Sequence, residues 1–253
     1  MNEDENYKMF SNLSFEKFKE LAKNKNISKF NRVGFPDKYR EGQEELILKD
    51  LISKVNILSR KYQKVLEIGP GCSNLAHIII NFVLQNKSEL TLIDSKEMLD
   101  NLPDNNGIKK EFGMFPNQFH SFIRERKEYF NAIITYSVIQ YIFKETDFWE
   151  FLVSSITMLK KGGILFLGDI PNISMRKRFL NSDEGIKFQN SFYKNKSISQ
   201  KEEAYNENKE INDIFIMDIL IRARNMGCHA WVVPQLHDLT FSNRREDIII
   251  KKP

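Results

Sequence analysis

The fold of this chain is decided by one stretch, Lys64-Val65-Leu66-Glu67-Ile68-Gly69-Pro70-Gly71-Cys72-Ser73-Asn74-Leu75-Ala76. The apolar residues in 65–68 predict a short strand that is buried on both faces of a parallel sheet. Gly69 and Gly71 then allow a sharp turn and leave no Cβ between the backbone and a ligand. A strand followed by such a turn is typical of proteins that bind a nucleotide-like cofactor at the carboxyl edge of a parallel sheet.

The residues around this turn narrow the choice of cofactor. Ser73 or Asn74 can cap a helix that runs through Ile80. A dinucleotide fingerprint needs a third small residue where Asn74 stands, and a phosphate-binding loop ends in Gly-Lys-Ser/Thr, but the chain has neither. Glu67 stands two positions before the first glycine and would repel a pyrophosphate, whereas it would attract a sulfonium or an ammonium group. The pattern therefore favours a cationic cofactor.

A second apolar strand, 89–94, ends in Asp94, whose carboxylate can accept hydrogen bonds from both ribose hydroxyls. Glu67-x-Gly69-x-Gly71 followed by Asp94 resembles the class I S-adenosylmethionine-dependent methyltransferases. The resemblance covers about residues 65–252. It implies a Rossmann-like α/β fold with a seven-stranded, mostly parallel sheet and an antiparallel edge hairpin. It also implies an N-terminal helical lid, an insertion after the fifth strand, and S-adenosyl-L-methionine as the cofactor.

Two further segments complete the cofactor site that the resemblance implies. In the family, the residues after the third strand, here 108–112, sandwich the adenine, and the end of the fourth strand faces the methyl group. The implied cofactor-binding residues are Glu67, Gly69, Pro70, Gly71, Ser73, Asp94, Ser95, Phe112, Gly113, Met114 and Tyr136.

The loop after the fourth strand, Tyr136-Ser137-Val138-Ile139-Gln140-Tyr141, bears on the acceptor. It lacks the Asp/Asn-Pro-Pro-aromatic loop of common nucleic-acid amine methylation and the Pro-Cys of cytosine-carbon methylation. It is similar to the loops of enzymes that act on small metabolites, in which a tyrosine or a glutamine shapes the methyl pocket. We therefore predict that Gln140 and Tyr141 contact the substrate. The alternative is that Tyr136 and Tyr141 are plain core aromatics.

The fifth strand, 164–169, leads to two candidate general bases. The residues 168–172 followed by 176–179 are similar to methyltransferases of bacterial surface-polysaccharide clusters. Asp169 lies at the carboxyl end of the strand, where this architecture keeps its active site. His237 lies beside Asp238 in the loop 235–244, where a carboxylate can tune an imidazole to accept a proton near neutral pH. A third interpretation is that neither residue acts and that alignment of the reactants suffices.

Charge gives weak support for a polyanion partner. The net charge is +4 with a pI near 8.8, and the lysines are mostly interleaved with Glu and Asn. The densest basic cluster is 176–178, in which Arg176 and Arg178 either contact a phosphate on a small substrate or form solvated surface. We expect a small-molecule acceptor, phosphorylated or nucleotide-linked, and neither a nucleic-acid nor a membrane partner.

The chain has 253 residues, of which 41% are hydrophobic and 20 are Phe, enough for one α/β core with an appendage. We divide it into a helical lid, 1–60, and a methyltransferase domain, 61–253, with a substrate-covering insertion at 173–209. The lid is predicted to hold a helix at 14–23 and a longer one at 36–60. Tyr39, at the start of the longer helix with Arg40 and Gln43, is a candidate lid residue that contacts the substrate. It could equally lie in an ordinary exposed helix turn.

Apolar periodicity predicts the remaining elements. The expected helices are 96–101, 116–127, 146–159 and 211–225, and the last two strands are 230–234 and 247–250. Residues 137–141 are expected to be a loop, and 160–163 a basic turn with glycines that stops the preceding helix. Residues 180–208 show no apolar periodicity and are interpreted as an insertion over the substrate.

Other features concern the cellular setting. The first eight residues show no secretory signal, and no apolar run reaches the ~20 residues of a membrane span. Cys72 and Cys228 have neither a disulfide framework nor metal-ligand spacing, so we expect buried thiols in a reducing cytoplasm and no metal. Heavy use of Lys, Asn, Ile and Phe suits an AT-rich coding sequence and a bacterial source.

These features together predict an S-adenosylmethionine-dependent methyltransferase. The expected reaction is O-methylation of a small polar acceptor such as a sugar, a nucleotide-activated sugar or another building block of a capsule or surface glycan. One alternative is an RNA or protein methyltransferase. Another is a catalytically inactive cofactor-binding subunit of a complex.

Overall fold

The computed structural model describes residues 13–193 and 210–253 and places seven strands in one sheet. In chain order these are β1 Lys64–Ile68, β2 Glu89–Asp94, β3 Ile108–Phe112, β4 Phe130–Tyr136, β5 Leu159–Pro171, β6 His229–Pro234 and β7 Arg245–Lys251. The strand order across the sheet is β3-β2-β1-β4-β5-β7-β6. Strand β7 pairs antiparallel with β5 and β6, and the other pairs are parallel. The predicted sheet, mostly parallel with an antiparallel edge hairpin, is confirmed.

Helices cover both faces of this sheet. They are α1 Phe15–Lys23, α2 Lys29–Arg32, α3 Glu44–Lys54, α4 Asn74–Gln85, α5 Lys96–Leu99, α6 His120–Glu125, α7 Ile139–Glu145, α8 Phe148–Met158, α9 Ile173–Leu180, α10 Asp183–Tyr193 and α11 Asp213–Asn225. In the described ranges no helix combines the length and the apolar character that crossing a membrane requires.

The alternation of side chains along β1 explains the two helical layers. Leu66 and Ile68 pack into a core with residues of α7, α8 and α11, whereas Val65 packs on the opposite face with residues of α3 and α4. Because side chains alternate across a strand, a run of apolar residues must be covered on both sides. The carboxyl end of β1 is therefore held rigidly between two cores.

The N-terminal segment lies across the carboxyl ends of β1 and β2. Ser14 caps α1 as predicted, because its side chain accepts a hydrogen bond from the backbone amide of Lys17. Helix α1 packs Ala22 against Cys72 of the glycine turn and Met98 of α5. Cys72 is a buried free thiol, as expected, and so is Cys228.

The long helix predicted for 36–60 is wrong in its extent. The chain forms a 3₁₀ turn at Asp37–Tyr39, then α3, then a second 3₁₀ turn at Asn56–Ser59. Gly42 separates the first turn from α3 with a φ of +76°, a left-handed conformation that a continuous helix cannot include. The apolar spacing was correct for α3 alone.

Three other predicted boundaries also move. Helix α6 begins at 120 rather than 116, because Phe115 and Phe119 are both buried and pack against each other in the preceding turn. Residues 160–163 belong to the long strand β5 and do not stop a helix. Residues 139–145 form α7 instead of a loop.

The predicted insertion and domain division are only partly within the described residues. Helices α9 and α10 account for its first part, and 194–209 lie outside the described residues, as do 1–12 of the predicted lid. The division into a lid at 1–60 and a domain at 61–253 stays a prediction.

Candidate functional site

A cleft of about 1120 Å³, including space that opens to solvent, lies at the carboxyl ends of β1, β2 and β4. It is lined by the glycine turn 69–71, by Asp94 and by 136–138. Apolar residues of the N-terminal segment, among them Phe18 and Val33, line it as well. Ligands of open α/β sheets bind outside the carboxyl ends of the strands, so this cleft is the candidate site.

The glycine turn brings bare backbone to the cleft. Gly69 and Gly71 have φ values of +72° and +64°, which side-chain-bearing residues adopt at a cost. The amide of Gly69 donates a hydrogen bond to the carbonyl of Ile93 at 2.8 Å, which ties the turn to β2. A Cβ on Gly71 would lie 2.7 Å from Cγ1 of Val33. The turn is therefore in close contact with the N-terminal segment.

We expect Gly71→Ala to destabilise the protein through both backbone strain and this contact. A non-glycine residue in the left-handed region costs about 1–2 kcal/mol. Gly42→Ala is the matched control, because Gly42 also has a positive φ but a Cβ there would meet nothing within 4 Å. Urea denaturation should show a larger loss of unfolding free energy for Gly71→Ala. Equal losses would contradict the close contact with Val33.

Asp94 is held in position by the backbone of the turn. Its Oδ2 accepts a hydrogen bond from the Gly71 amide at 3.0 Å, and its Oδ1 accepts one from the Ser95 amide at 2.6 Å. Burial raises the pKa of Asp94 to about 6, while the two amides act in the opposite sense. Ser95 itself is buried and caps α5 by accepting from the Met98 amide at 3.2 Å. Ser95 therefore supports the site without lining the cleft.

Glu67 is a buried acid without a hydrogen-bond partner for its Oε2 among the described residues. Its exposed fraction is only 2%. Burial, with a smaller contribution from Asp94, raises the pKa of Glu67 to about 8. Glu67 does not line the cleft but directly precedes Ile68 and Gly69, which do. An unpaired buried carboxyl beside a cleft fits a cationic ligand.

The residues after β3 divide between the cleft and solvent. Gly113 and Met114 line the cleft, and Gly113 has a φ of +147°. Phe112, predicted to sandwich the adenine, does not line it and is 52% exposed. Phe112 is the last residue of β3, which is an edge strand of the sheet. The Lys96 ammonium lies 5.8 Å from the centre of the Phe112 ring.

The residues after β4 line the cleft from its other end. Tyr136, Ser137 and Tyr141 all face it, and the Tyr141 ring packs edge-on against Phe18 at 4.8 Å between ring centres. Gln140 does not line the cleft, because its Nε2 donates to the Ser137 carbonyl at 2.8 Å. Ser73 and Pro70, predicted from the glycine motif, lie on the cleft wall.

Asp169 lies in a buried ion-pair network at the end of β5. Its Oδ2 accepts hydrogen bonds from Arg40, from Arg245 at 2.5 Å and from the Ser137 hydroxyl, and its Oδ1 accepts one from Gln235 at 3.2 Å. Burial alone would raise the pKa of this carboxyl. The guanidinium groups of Arg245 and Arg40 outweigh it and hold the pKa of Asp169 below its usual value.

These surroundings do not support the prediction that Asp169 is a general base. A carboxylate with a lowered pKa and every oxygen hydrogen-bonded has little tendency to accept a proton. It also lies behind Ser137 and Arg40, which line the cleft while Asp169 does not. Asp169 lies near the carboxyl end of β5, as predicted, but its ion pairs with Arg40 and Arg245 point to a structural role.

His237 lies away from the cleft. Its side chain is fully exposed, and Nδ1 lies 3.4 Å from Oδ1 of the equally exposed Asp238. Neither residue lines the cleft. The structure therefore does not bring the two predicted bases, Asp169 and His237, together.

The three remaining predicted substrate residues also lie outside the cleft wall. The Tyr39 ring lies 5.5 Å from that of Phe241, beside a small second cavity. Arg178 is an exposed residue of α9 and forms an ion pair with Asp213 at 2.5 Å. Arg176, on the same helix, does not line the cleft.

Two residues that sequence reasoning assigned no role organise the site. Arg245 is the first residue of β7 and gave no sequence signal, because the last strand was predicted to begin at 247. Glu145 lines the cleft at the end of α7 and accepts the Phe15 amide, the first of α1, at 3.0 and 2.9 Å. No sequence signal pointed to this role, because Glu145 stands just before the helix predicted at 146–159, where an acid is favourable; only the structure shows that it ends α7.

Comparison of the sequence with models of protein families gives no match, and comparison with curated proteins gives none either. Solved structures do match. An O-methyltransferase family protein from Burkholderia thailandensis is 12% identical, with a TM-score of 0.55 over 98% of this chain and 68% of that chain. The N-methyltransferase NodS from Bradyrhizobium japonicum WM9 is 13% identical, with a TM-score of 0.51 over 85% of this chain and 99% of that chain.

At these identities the likeness concerns the fold. The chain shares a Rossmann-like α/β fold with these two methyltransferases, and its sheet has the strand order β3-β2-β1-β4-β5-β7-β6. The two matched proteins differ in the atom that their names say is methylated. The fold therefore leaves the acceptor open.

Proposed function

We propose that this protein is an S-adenosylmethionine-dependent methyltransferase that acts on a small acceptor. The observation that carries the proposal is the hydrogen bond between the Gly71 amide and Oδ2 of Asp94, which holds an acid against a glycine turn in the cleft. Such an arrangement presents bare backbone and a carboxylate to a nucleoside at the carboxyl edge of the sheet.

The residues present fit this cofactor. Each oxygen of Asp94 accepts one backbone hydrogen bond and keeps a lone pair for a ribose hydroxyl. The unpaired Oε2 of Glu67 suits the cationic end. When bound, S-adenosylmethionine supplies a methyl group activated by a positively charged sulfur. Gly69, Pro70, Gly71, Ser73, Gly113, Met114 and Tyr136 would form the wall around it, and Ser95 would hold the turn that carries Asp94.

The chain contributes mainly alignment and exclusion of water. Methyl transfer is an in-line displacement, so a site that fixes both reactants accelerates it without further chemistry. Ser137, just after β4, and Tyr141, in α7, line the cleft and are placed to position the acceptor. We assign no general base, since Asp169 is held by two arginines and His237 is exposed.

The N-terminal segment covers the cleft and so favours a small acceptor over RNA or protein. The N-terminal segment runs across the opening, and Phe15 is tied to Glu145 on the far side. A macromolecule would have to displace this segment. O-methylation of a sugar, a nucleotide-activated sugar or another surface-glycan building block remains our candidate reaction. RNA or protein methylation, and cofactor binding without turnover, are the alternatives for experiment.

Replacing Asp94 tests the cofactor assignment. We expect Asp94→Ala to weaken S-adenosylmethionine binding by about 1.5–3 kcal/mol, the scale of hydrogen bonds to charged groups. Titration calorimetry measures this directly. Asp100→Ala is the control, because Asp100 is exposed and its ion-pair partner, Lys96, is exposed as well. Unchanged affinity in Asp94→Ala would overturn the assignment.

A label-transfer assay would identify the acceptor class. The protein is incubated with cofactor that carries a labelled methyl group and with separate pools of nucleotide sugars, other small metabolites, RNA and protein. We expect label in a small-molecule fraction. Label in RNA or protein would favour that alternative. Tight cofactor binding without transfer to any pool would favour the inactive subunit.

A further inference from the structure

Three arginine side chains converge on one aromatic ring beside the cleft. The guanidinium carbons of Arg245, Arg244 and Arg40 lie 4.4, 5.1 and 5.6 Å from the centre of the Phe241 ring. Cations gathered around a single ring are close enough to repel one another. Such a cluster is stable only with anionic partners. Counting the acids that contact it therefore shows whether it can bind a further anion.

The acids of the described residues balance this cluster only in part. Arg40 and Arg245 share the single carboxylate of Asp169. Asp247, the other acid of the network, is already paired with a lysine at 2.7 Å. Arg244 forms no ion pair with a carboxylate of residues 13–193 or 210–253. Burial, then the neighbouring charges of Arg245 and Arg176, lowers the pKa of Arg244.

The guanidinium of Arg244 is oriented by aromatic rings. It lies 5.4 Å from the ring centre of Phe188 in α10 and 5.1 Å from that of Phe241. Contact with ring faces leaves the N–H groups of the planar fork available at its edge. A guanidinium held in this way is suited to a carboxylate or a phosphate, both of which accept two parallel hydrogen bonds.

The cluster adjoins the candidate methyl-transfer position. Nη1 of Arg245 lies 3.2 Å from the Ser137 hydroxyl, and Ser137 lines the cleft at the end of β4. Arg40 lines the same cleft. An anion bound at Arg244 and Arg245 would therefore lie next to the acceptor end of the cleft. Of the predicted basic run at 176–178, Arg176 lies close enough to Arg244 for its charge to lower the pKa of Arg244, whereas Arg178 is paired with Asp213.

We propose that Arg244 and Arg245 bind an anionic group, a phosphate or a carboxylate, on the acceptor and so select an anionic substrate. The identity of the bound molecule as acceptor rests on the proposed function. The binding of an anion at Arg244 and Arg245 does not rest on the proposed function, and it is tested separately.

The first experiment measures anion binding by the full-length chain through its melting temperature. Inorganic phosphate and malonate are the probes, and sodium chloride at the same ionic strength is the reference. With phosphate or malonate at about ten times its dissociation constant, we expect a rise of about 2–4 °C in the unmodified protein. The preferred probe tells a phosphate site from a carboxylate site.

Two variants make this experiment specific. Arg244→Gln should lose the rise, and its melting temperature without added anion should not fall, because the substitution removes a half-buried cation that forms no ion pair within residues 13–193 or 210–253. Arg222→Gln is the control, since the Arg222 guanidinium also packs on an aromatic ring, at 3.8 Å from the centre of Trp149, and neither residue lines the cleft. Unlike Arg244, Arg222 has an acidic partner, Asp218 at 3.9 Å. Arg222→Gln should keep the full rise. Equal rises in all three proteins, or no rise in any, would overturn the anion site.

The second experiment uses the acceptor found by label transfer. We expect the labelled product to be retained on an anion exchanger, and Arg244→Gln to raise the acceptor KM about 10-fold or more with an unchanged cofactor Kd. A neutral product or an unmoved KM would overturn the substrate assignment. Failure of the proposed function looks different, because the unmodified protein would then bind no cofactor or transfer no label while still binding phosphate or malonate.

Discussion

Asp169→Asn is expected to lower the unfolding free energy by about 3–5 kcal/mol, the cost of removing one partner from a buried ion pair. Asp169 is 1% exposed, and its Oδ2 is shared by Arg40 and Arg245. The substitution leaves two buried guanidinium groups without their common carboxylate. Because Arg40 belongs to the N-terminal segment, limited proteolysis should also cleave that segment faster. Urea denaturation at neutral pH measures the main effect.

A matched variant and the pH dependence sharpen this test. Asp238→Asn removes an exposed acid and should change stability by less than about 0.5 kcal/mol. The contribution of Asp169 should be complete above its ordinary pKa of 3.8 and be lost only as the pH falls through its lower folded value. The competing role gives a different pattern. If Asp169 is a general base, Asp169→Asn should lower kcat about 100-fold to 10,000-fold and leave stability intact. That outcome would restore the prediction that Asp169 is the general base.

The case of Asp169 shows what the sequence could and could not predict. Its place at the carboxyl end of β5 followed from strand periodicity and from the architecture, which depend on neighbours in the chain. Its role depends on Arg40 and Arg245, which are 129 and 76 positions away. No local pattern reports which distant cation will be buried beside an acid. The prediction was therefore correct in location and unsupported in chemistry.

The glycine turn shows the opposite case. Gly69 and Gly71 were predicted from the sequence because glycines allow a sharp turn, and Asp94 because it is an acid at the end of the second strand. The structure has positive φ values at both glycines. The hydrogen bond from Gly71 to Asp94 then follows from the parallel pairing of β1 with β2. Where the backbone itself forms the site, residue type and spacing carry enough information. Exposed or loop residues such as Phe112 and His237 have no comparable constraint.

Glu67→Gln is expected to have opposite effects on stability and on cofactor binding. Burial raises the pKa of Glu67 from its ordinary value of 4.5 to about 8, so over this range the folded protein keeps a proton that the unfolded chain releases. The stability of the cofactor-free protein should therefore fall as the pH rises from about 4.5 to about 8. The amide stays neutral and avoids that loss. By pH 8 the variant should be more stable by on the order of 3–5 kcal/mol.

Denaturation at pH 5 and at pH 8 measures the stability effect. The two proteins should be similar at pH 5 and should diverge at pH 8. Glu89→Gln is the control, because Glu89 is exposed at the start of β2 and this variant keeps Glu67, so its stability should fall between pH 5 and pH 8 as it does in the unmodified protein. A Glu67→Gln variant that is less stable than the unmodified protein at pH 8 would contradict a neutral, unpaired Glu67.

The binding effect completes the argument, because a cationic cofactor favours the ionised form of Glu67. Binding near pH 7 should release a proton, which calorimetry in two buffers of different ionisation enthalpy detects, and the affinity should rise with pH up to about 8. Glu67→Gln should abolish the proton release and weaken the cofactor about 10-fold to 100-fold. Proton release that persists in the variant would show that a group other than Glu67 ionises when the cofactor binds. The burial of Glu67 without a partner would then have no role in cofactor binding.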